Sequence, residues 1–328
     1  MKRCVQRKES DMSEKKFDAV VIGVALIDCV IKGFDPEPIS SRGFHAESLT
    51  LAPGGEAFNQ CMTAARLGAK VQIVCGLAED ASGDLICHQL QCAGTDTSAV
   101  IMRTEPGTPV TTMFVDGDGN RKSITGNAHA YNIHPEKYLE PLLSNADAVS
   151  LGSLFRAPFN DPDVIRAVLE MAKSHGLTIY ADTKLPNARK LTLEDLKECL
   201  PMVDYITPNE DEALYYTGES DPEKAADVFL GYGIKNVIIK LGARGCFFKN
   251  ASEKLRLPSY RIDAVDATGA GDNFLAGFIT ARADGCGHEE ALKFATACAA
   301  ICTMSIGATT GVKSREQVLE FMREHELL

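Results

Sequence analysis

Short apolar runs rich in β-branched residues alternate along this chain with helical stretches. AVVIG (19–23), VQIVCG (71–76), AVSLG (148–152), LTIYAD (177–182), VDYITPN (203–209) and NVIIKLG (236–242) are predicted as buried strands. Between them lie amphipathic segments: EAFNQCMTAARLG (56–68), entered through Pro53-Gly54-Gly55 and closed by Gly68; GDLICHQLQCAG (83–94); and DVIRAVLEMAKSHG (163–176). Strands separated by helices imply a mostly parallel sheet covered on both faces. One region breaks the rhythm. PVTTMFVDGDGNRKSITGNA (109–128) predicts strand–turn–strand, with Asp116-Gly117-Asp118-Gly119 as the turn, and ESLTLAP (47–53) is expected to join it in a small β appendage. Three helices close the chain, predicted over 273–285, 289–307 and 314–324. With no internal repeat or linker, one α/β domain carrying a β lid is the simplest organisation. Residues 17–328 are assigned to that domain, with lid segments at approximately 32–53 and 98–127.

Composition excludes several classes. The 328 residues carry 34 Lys and Arg against 45 Asp and Glu, a net charge of −11. An acidic chain with no polybasic block argues against nucleic acid or an anionic membrane surface as partner. No apolar stretch approaches the roughly 20 residues that span a bilayer. The first 18 residues are charged and lack an apolar core, so they do not resemble a secretory signal; about residues 1–16 are expected to be disordered, with Met12 an alternative start. Eleven cysteines without a CxxC pair point to reduced thiols and a cytoplasmic location. In that setting the Asn250-Ala-Ser252 sequon is taken as chance.

The chemistry concentrates late in the chain, in Asp266-Ala-Thr-Gly269-Ala270-Gly271-Asp272 before a strongly apolar helix. Small residues at a helix start let backbone N–H groups converge on an anion, and the helix dipole adds to the attraction. An Asp in that field is suited to take the proton of an alcohol attacking a phosphoryl group; it could equally serve as an N-cap after a Gly-rich turn. A dinucleotide fingerprint would need Gly at Phe274 and an N-terminal position. No Walker A loop, HExxH or GxSxG occurs. Asp116-x-Asp118-x-Asn120 begins like a calcium loop but has Arg121 where Gly is required and Asn127 where Glu is required. Earlier, Gly54 and Gly55 allow close backbone approach to a ligand, and Asn59 and Asp28 can hydrogen-bond a polyol; a helix entry, an exposed helix residue and a loop residue are the plainer readings.

Taken in order, Gly54-Gly55-x-x-x-Asn59, Asn209-Glu-Asp-Glu212, Leu241-Gly242-Ala-Arg-Gly245 and the GAGD segment resemble the ribokinase-like (PfkB) carbohydrate kinases over about residues 17–325. The resemblance implies a three-layer α/β/α fold with a β lid and transfer of the ATP γ-phosphoryl group to a sugar hydroxyl. It makes Asp272 the catalytic base and the amides of Gly269, Ala270 and Gly271 the anion hole. Asp28, Gly54, Gly55 and Asn59 fall at sugar-contacting positions. Asn209 and Glu212 match a motif acting on Mg²⁺ and phosphate. A monovalent cation, K⁺ above all, is implied near Asp266 and Thr268, completed by the loop 307–311; Ala267 departs from the usual residue there. Thr268, Gly242 and Gly245 are expected beside the nucleotide. Lys240, ending a strand, either reaches a nucleotide phosphate or is a surface lysine. Asp182, Lys184 and Arg189 follow a strand at its carboxyl end, where open α/β sheets bind ligands, although a solvated loop also explains the two cations. Cys298 and Cys302, one helical turn apart among alanines, suggest core packing.

The expected acceptor is a free monosaccharide such as ribose, fructose or 2-keto-3-deoxygluconate, since Glu56 stands where a lysine would meet a second phosphate. The alternatives are an adenosine-type nucleoside kinase and a non-catalytic sugar or nucleotide sensor, which would be expected to lose the base or the hole. Exposed lid strands make a homodimer through the lid an expectation.

Overall fold

The computed structural model describes residues 16–32, 46–115, 121–137, 139–187, 189–325 and 327. Residues 1–15, residues 33–45 of the expected lid segment, and the 116–120 run with its turn lie outside the described residues. Lys16 is described, and its ammonium meets Asp96 at 3.2 Å.

The apolar runs form an eight-stranded sheet: β1 (Ala19–Ile22), β4 (Val71–Val74), β9 (Ala148–Leu154), β10 (Thr178–Thr183), β11 (Tyr205–Ile206), β12 (Asn236–Lys240), β13 (Cys246–Asn250) and β14 (Lys254–Leu257). Their order is β14-β13-β12-β11-β10-β9-β1-β4. The pairings from β4 to β12 are parallel; β13 and β14 are added antiparallel at one edge. Alternate residues of one strand enter different cores, as the two-residue strand period requires. Ala19, Val21 and Ile238 pack on one face, Val20, Ile22, Val237 and Ile239 on the other.

Helices α1 (Glu56–Arg66), α2 (Ala81–Ala93), α7 (Ala270–Ala283), α8 (His288–Thr303) and α9 (Arg315–Glu324) cover the first face. The second is covered by α4 (Pro162–Ser174), α5 (Glu210–Thr217) and α6 (Pro222–Gly231), with the single turn α3 (Glu140–Leu143) beside them. No described helix is long and apolar enough to cross a membrane.

A four-stranded sheet stands apart, in the order β3-β2-β7-β8. It contains β2 (Leu26–Lys32), β3 (Ser48–Gly54), β7 (Val110–Val115) and β8 (Arg121–Gly126). Strand β2 begins four residues after β1 ends, so Asp28 lies within a lid strand, opposite Ala52 of β3 and Thr111 of β7. The remaining strands, β5 (Gly76–Ala78) and β6 (Ile101–Arg103), form a separate ribbon, so 101–103 does not join the lid sheet.

Two boundaries move for visible reasons. Helix α7 starts at Ala270, three residues before the predicted start, because Gly269 takes φ +76° and turns the Gly-rich segment into the first helical turn. Helix α8 ends at Thr303 rather than 307: the Thr303 carbonyl accepts from the N–H groups of Val265 (2.7 Å) and Asp266 (3.1 Å), and Gly307 has φ +92°.

Candidate active site

The segments at the carboxyl ends of β10, β11 and β12 and the first turn of α7 converge on one cleft of about 540 Å³. Gly269, Ala270, Gly271 and Asp272 line it, as do Lys240, Gly242, Gly245, Asn209, Glu212 and Lys184. The walls away from these polar groups are Tyr260, Ile262, Ala299 and Ala300, a surface suited to a flat apolar ring.

Asp272 is the third residue of α7 and is 6% exposed. One carboxylate oxygen, Oδ2, accepts from Asn59 Nδ2 at 2.7 Å. The other, Oδ1, has no hydrogen-bond partner among the described residues, and Lys184 Nζ stands 3.7 Å from it. Asn59 Oδ1 is likewise buried and unpartnered. Two orphaned acceptors side by side in a buried site are what a ligand bearing hydroxyl donors would satisfy. Burial raises the Asp272 carboxyl above its ordinary value; Lys184 opposes the rise and the Asp182 charge adds to it.

Behind the cleft lies a small ionic network. Asp182, fully buried at the end of β10, holds Lys240 Nζ at 2.6 Å and Lys184 Nζ at 3.3 Å. Burial would raise the Asp182 carboxyl, but the two ammonium groups outweigh it and hold the group below the usual carboxylate range. Burial works against the Lys184 charge, yet Asp182 and Asp272 raise its pKa, so it stays protonated. Lys240 is half-buried and lines the cleft rather than standing free on the surface: a Cβ on Gly271 would lie 3.2 Å from its Nζ. Lys184 is no solvated loop residue either, whereas Arg189 is exposed, 3.4 Å from Asp161, and does not line the cleft.

The Gly-rich turn offers fewer open donors than the sequence suggests. The N–H groups of Gly269 and Gly271 have no partner among the described residues, but Ala270 N–H donates back to Ala267 O at 3.2 Å. Asn273 clamps the turn from behind: Nδ2 donates to Gly269 O and Ala308 O, both at 2.8 Å, while Oδ1 accepts from Thr63 at 2.7 Å. Arg66 Nη1 donates to Val312 O at 3.0 Å and also to Thr309 O, tying the 307–312 loop to α1. Asp266 receives Thr268 N–H (3.0 Å) and hydroxyl (2.7 Å) on Oδ1 and Gly307 N–H (2.9 Å) on Oδ2. These contacts bring the two segments of the expected cation site together. They also turn the Thr268 hydroxyl toward Asp266; Thr268 does not line the cleft.

Asn209 and Glu212 form a capping box on α5: Asn209 Oδ1 accepts from Glu212 N–H and Glu212 Oε2 from Asn209 N–H, both at 2.9 Å. Glu212 Oε2 also accepts from Thr183 at 2.8 Å. Among the described residues no cluster of three metal-ligating side chains exists. One carboxylate and one amide on the wall of the cleft fit a hydrated Mg²⁺, since that ion keeps several waters and needs few protein ligands.

On the far side of Asp272 lie Gly54, Gly55 and Asp28. A Cβ at Gly54 would fall 2.1 Å from Asp28 Oδ2, and one at Gly55, where φ is +95°, 2.4 Å from Val24 O. Burial pushes the Asp28 carboxyl up to about 6. Sequence reasoning missed Tyr131 here. Burial, and after it the nearby Glu56 and Asp28 charges, push its phenol up to about 12; nothing local in the sequence marked it. Cys298 and Cys302 are buried and free, as expected of core packing.

The chain matches the pfkB family carbohydrate kinase profile over residues 16–315. It is 30% identical to a ribokinase of Haemophilus influenzae over 288 residues, 85% of this chain and 90% of that one. The structure of Arabidopsis thaliana ribokinase complexed with ribose and ATP superposes with a TM-score of 0.81 at 26% identity, covering 94% of this chain and 99% of that one. An E. coli protein assigned as ribokinase II, in complex with ATP and Mg²⁺, gives a TM-score of 0.79 at 26% identity, covering 94% and 100%.

Proposed function

The chain belongs to the pfkB family of carbohydrate kinases, and from that membership we propose that it transfers the γ-phosphoryl group of ATP to a primary hydroxyl of a free monosaccharide. Ribose, fructose and 2-keto-3-deoxygluconate exemplify the acceptor. The observation that carries the reading is Asp272: a buried carboxylate in the first turn of α7, with one oxygen held by Asn59 and the other, beside Lys184, without a hydrogen-bond donor among the described residues. ATP would occupy the cleft: Tyr260, Ile262 and Ala300, which line it, would hold the base, and Lys240 with the Gly269 and Gly271 amides would hold the phosphates. The sugar lies on the other side of Asp272, among Asp28, Gly54, Gly55 and Asn59.

Asp272 Oδ1 orients the acceptor hydroxyl and takes its proton as the new bond forms; a raised pKa makes that carboxylate a better base. Free amide donors meet the charge on the transferred group, and removing one well-aimed donor of this kind typically costs roughly 3–4 kcal/mol of barrier. The Ala270 amide, now turned to Ala267, joins them only if that turn opens. Mg²⁺ bound with the triphosphate neutralises phosphate charge, and Asn209 and Glu212 would hold it through water. A K⁺ site at Asp266 and the 307–311 loop would act behind the hole. Closure of the lid excludes water, which competes as acceptor. Leu49, Leu51 and Ile124, 59%, 62% and 67% exposed on the lid, support pairing of two copies through that sheet. Ten free cysteines among the described residues support a cytoplasmic location.

ATP consumption measured across free sugars, sugar phosphates and nucleosides, with and without K⁺, tests the assignment. A free monosaccharide is expected to give the highest kcat/KM. Preference for fructose 6-phosphate, or for a nucleoside, overturns it.

A further inference from the structure

Glu56 opens α1, and its side chain reaches over the carboxyl ends of β1 and β9. The chain leaves β1 toward β4 on one side of the sheet and returns to β9 on the other, so this is where strand order reverses and a crevice opens. Oε1 of Glu56 accepts from Val24 N–H and from the Ser153 hydroxyl, both at 2.8 Å. Two glycines make room for it. A Cβ on Gly23 would come within 2.8 Å of Oε1, and one on Gly152 within 2.8 Å of Cγ. Neither glycine has a positive φ, so what each supplies is space. Burial raises the Glu56 carboxyl above its ordinary value, while Lys184 and a hydrogen bond from the Glu56 backbone N–H favour its charged form. A carboxylate thus anchored, and near enough to feel the Asp272 charge, stands at the acceptor end of the site.

The charges around it have one sign in excess. Asp28, Glu56, Asp182 and Asp272 stand with Lys184, Lys240 and Arg156, and Asp182 is held between the two lysines. Arg156, in the turn after β9, has a buried Nε without a partner among the described residues, and the carboxylates still outnumber the cations. An incoming anion meets the remainder.

We propose that Glu56 is a specificity residue that accepts hydrogen bonds from sugar hydroxyls and, by its charge, restricts the kinase to uncharged polyol acceptors. The inference rests on the sugar-kinase reading above and narrows it: a sugar acid such as 2-keto-3-deoxygluconate and any sugar phosphate are rejected, because a like charge placed against a fixed carboxylate is disfavoured.

The test compares wild-type enzyme with Glu56→Gln, which keeps an oxygen for Val24 and Ser153 but loses the charge. kcat/KM is measured for ribose, fructose, 2-keto-3-deoxygluconate and fructose 6-phosphate. Wild type is expected to favour its best neutral sugar over either anion by about a hundredfold, and Glu56→Gln to shrink that ratio about tenfold. A merely structural role would lower every value together and leave the ratio unchanged. Ser153→Ala, which removes only the anchoring hydroxyl, is expected to raise the neutral-sugar KM at least about threefold with kcat nearly constant. Wild-type preference for an anionic acceptor, or an unchanged ratio in Glu56→Gln, overturns the proposal. Failure of the kinase reading looks different: no acceptor of any charge is phosphorylated.

Discussion

At the scale of single residues, the site was partly legible because its chemistry is compressed into short motifs. Gly269 to Asp272 stands out because small residues before an apolar helix suit an anion as well as a plain N-cap, and the order of the motifs along the chain favours the first. What the sequence hid is pairing across distance. Asn59 and Asp272 are 213 positions apart, and Asp182 and Lys240 are 58 apart. Nothing near Lys240 reveals that its ammonium is held against a buried carboxylate. The N-x-x-E pattern at 209–212 carried a second meaning, since it also builds the capping box of α5. Two predictions belong here. Burial raises the Asp272 carboxyl, and only its deprotonated form accepts the proton. The kcat profile should therefore lose activity with falling pH at a value above that of an ordinary aspartate; an acid limb at the ordinary value contradicts the assignment. Gly54→Ala places a methyl 2.1 Å from Asp28 Oδ2 and forces that carboxylate aside. Sugar KM should rise about tenfold while kcat changes little, as expected for loss of binding shared by ground and transition states.

Secondary-structure elements were legible where period and length agreed, as in β1, β4, β9 and α4. The strands without a hydrophobic period escaped. CFFKN of β13 is apolar for three residues and then polar, and KLRL of β14 is four residues long. Strand β2 escaped because it follows β1 so closely that the two read as one strand and a loop. The run 203–209 yields only the two-residue β11, with Pro208 and the Asn209 cap following directly. Helix α7 carries Asp272, the proposed base, and its position depends on close approach to α8. A Cβ on Gly277 would lie 2.8 Å from Cys298 Sγ and 3.2 Å from Ala295 Cα. Gly277→Val should therefore destabilise the fold by about 1–3 kcal/mol, the usual cost of overpacking, when measured by urea unfolding. A neutral or stabilising result would mean that the two helices separate freely.

For the molecule as a whole, alternating strands and helices were enough to imply the covered parallel sheet. The architecture explains why the site lies where it does: the carboxyl ends of the parallel strands, the first turn of α7 and the root of the lid meet on one edge. Two ligands bridging these parts should stabilise them together. Sugar or ATP present at about a hundred times its Kd is expected to add roughly 2.7 kcal/mol to unfolding stability. The central claim is that Asp272 moves the proton while its neighbours hold the sugar. It is tested most directly by Asp272→Asn, with turnover measured by phosphorylated product and sugar affinity by calorimetry. The account predicts a fall in kcat of about 10²–10⁴-fold with sugar affinity within a few-fold of wild type. Near wild-type kcat in that variant would contradict it.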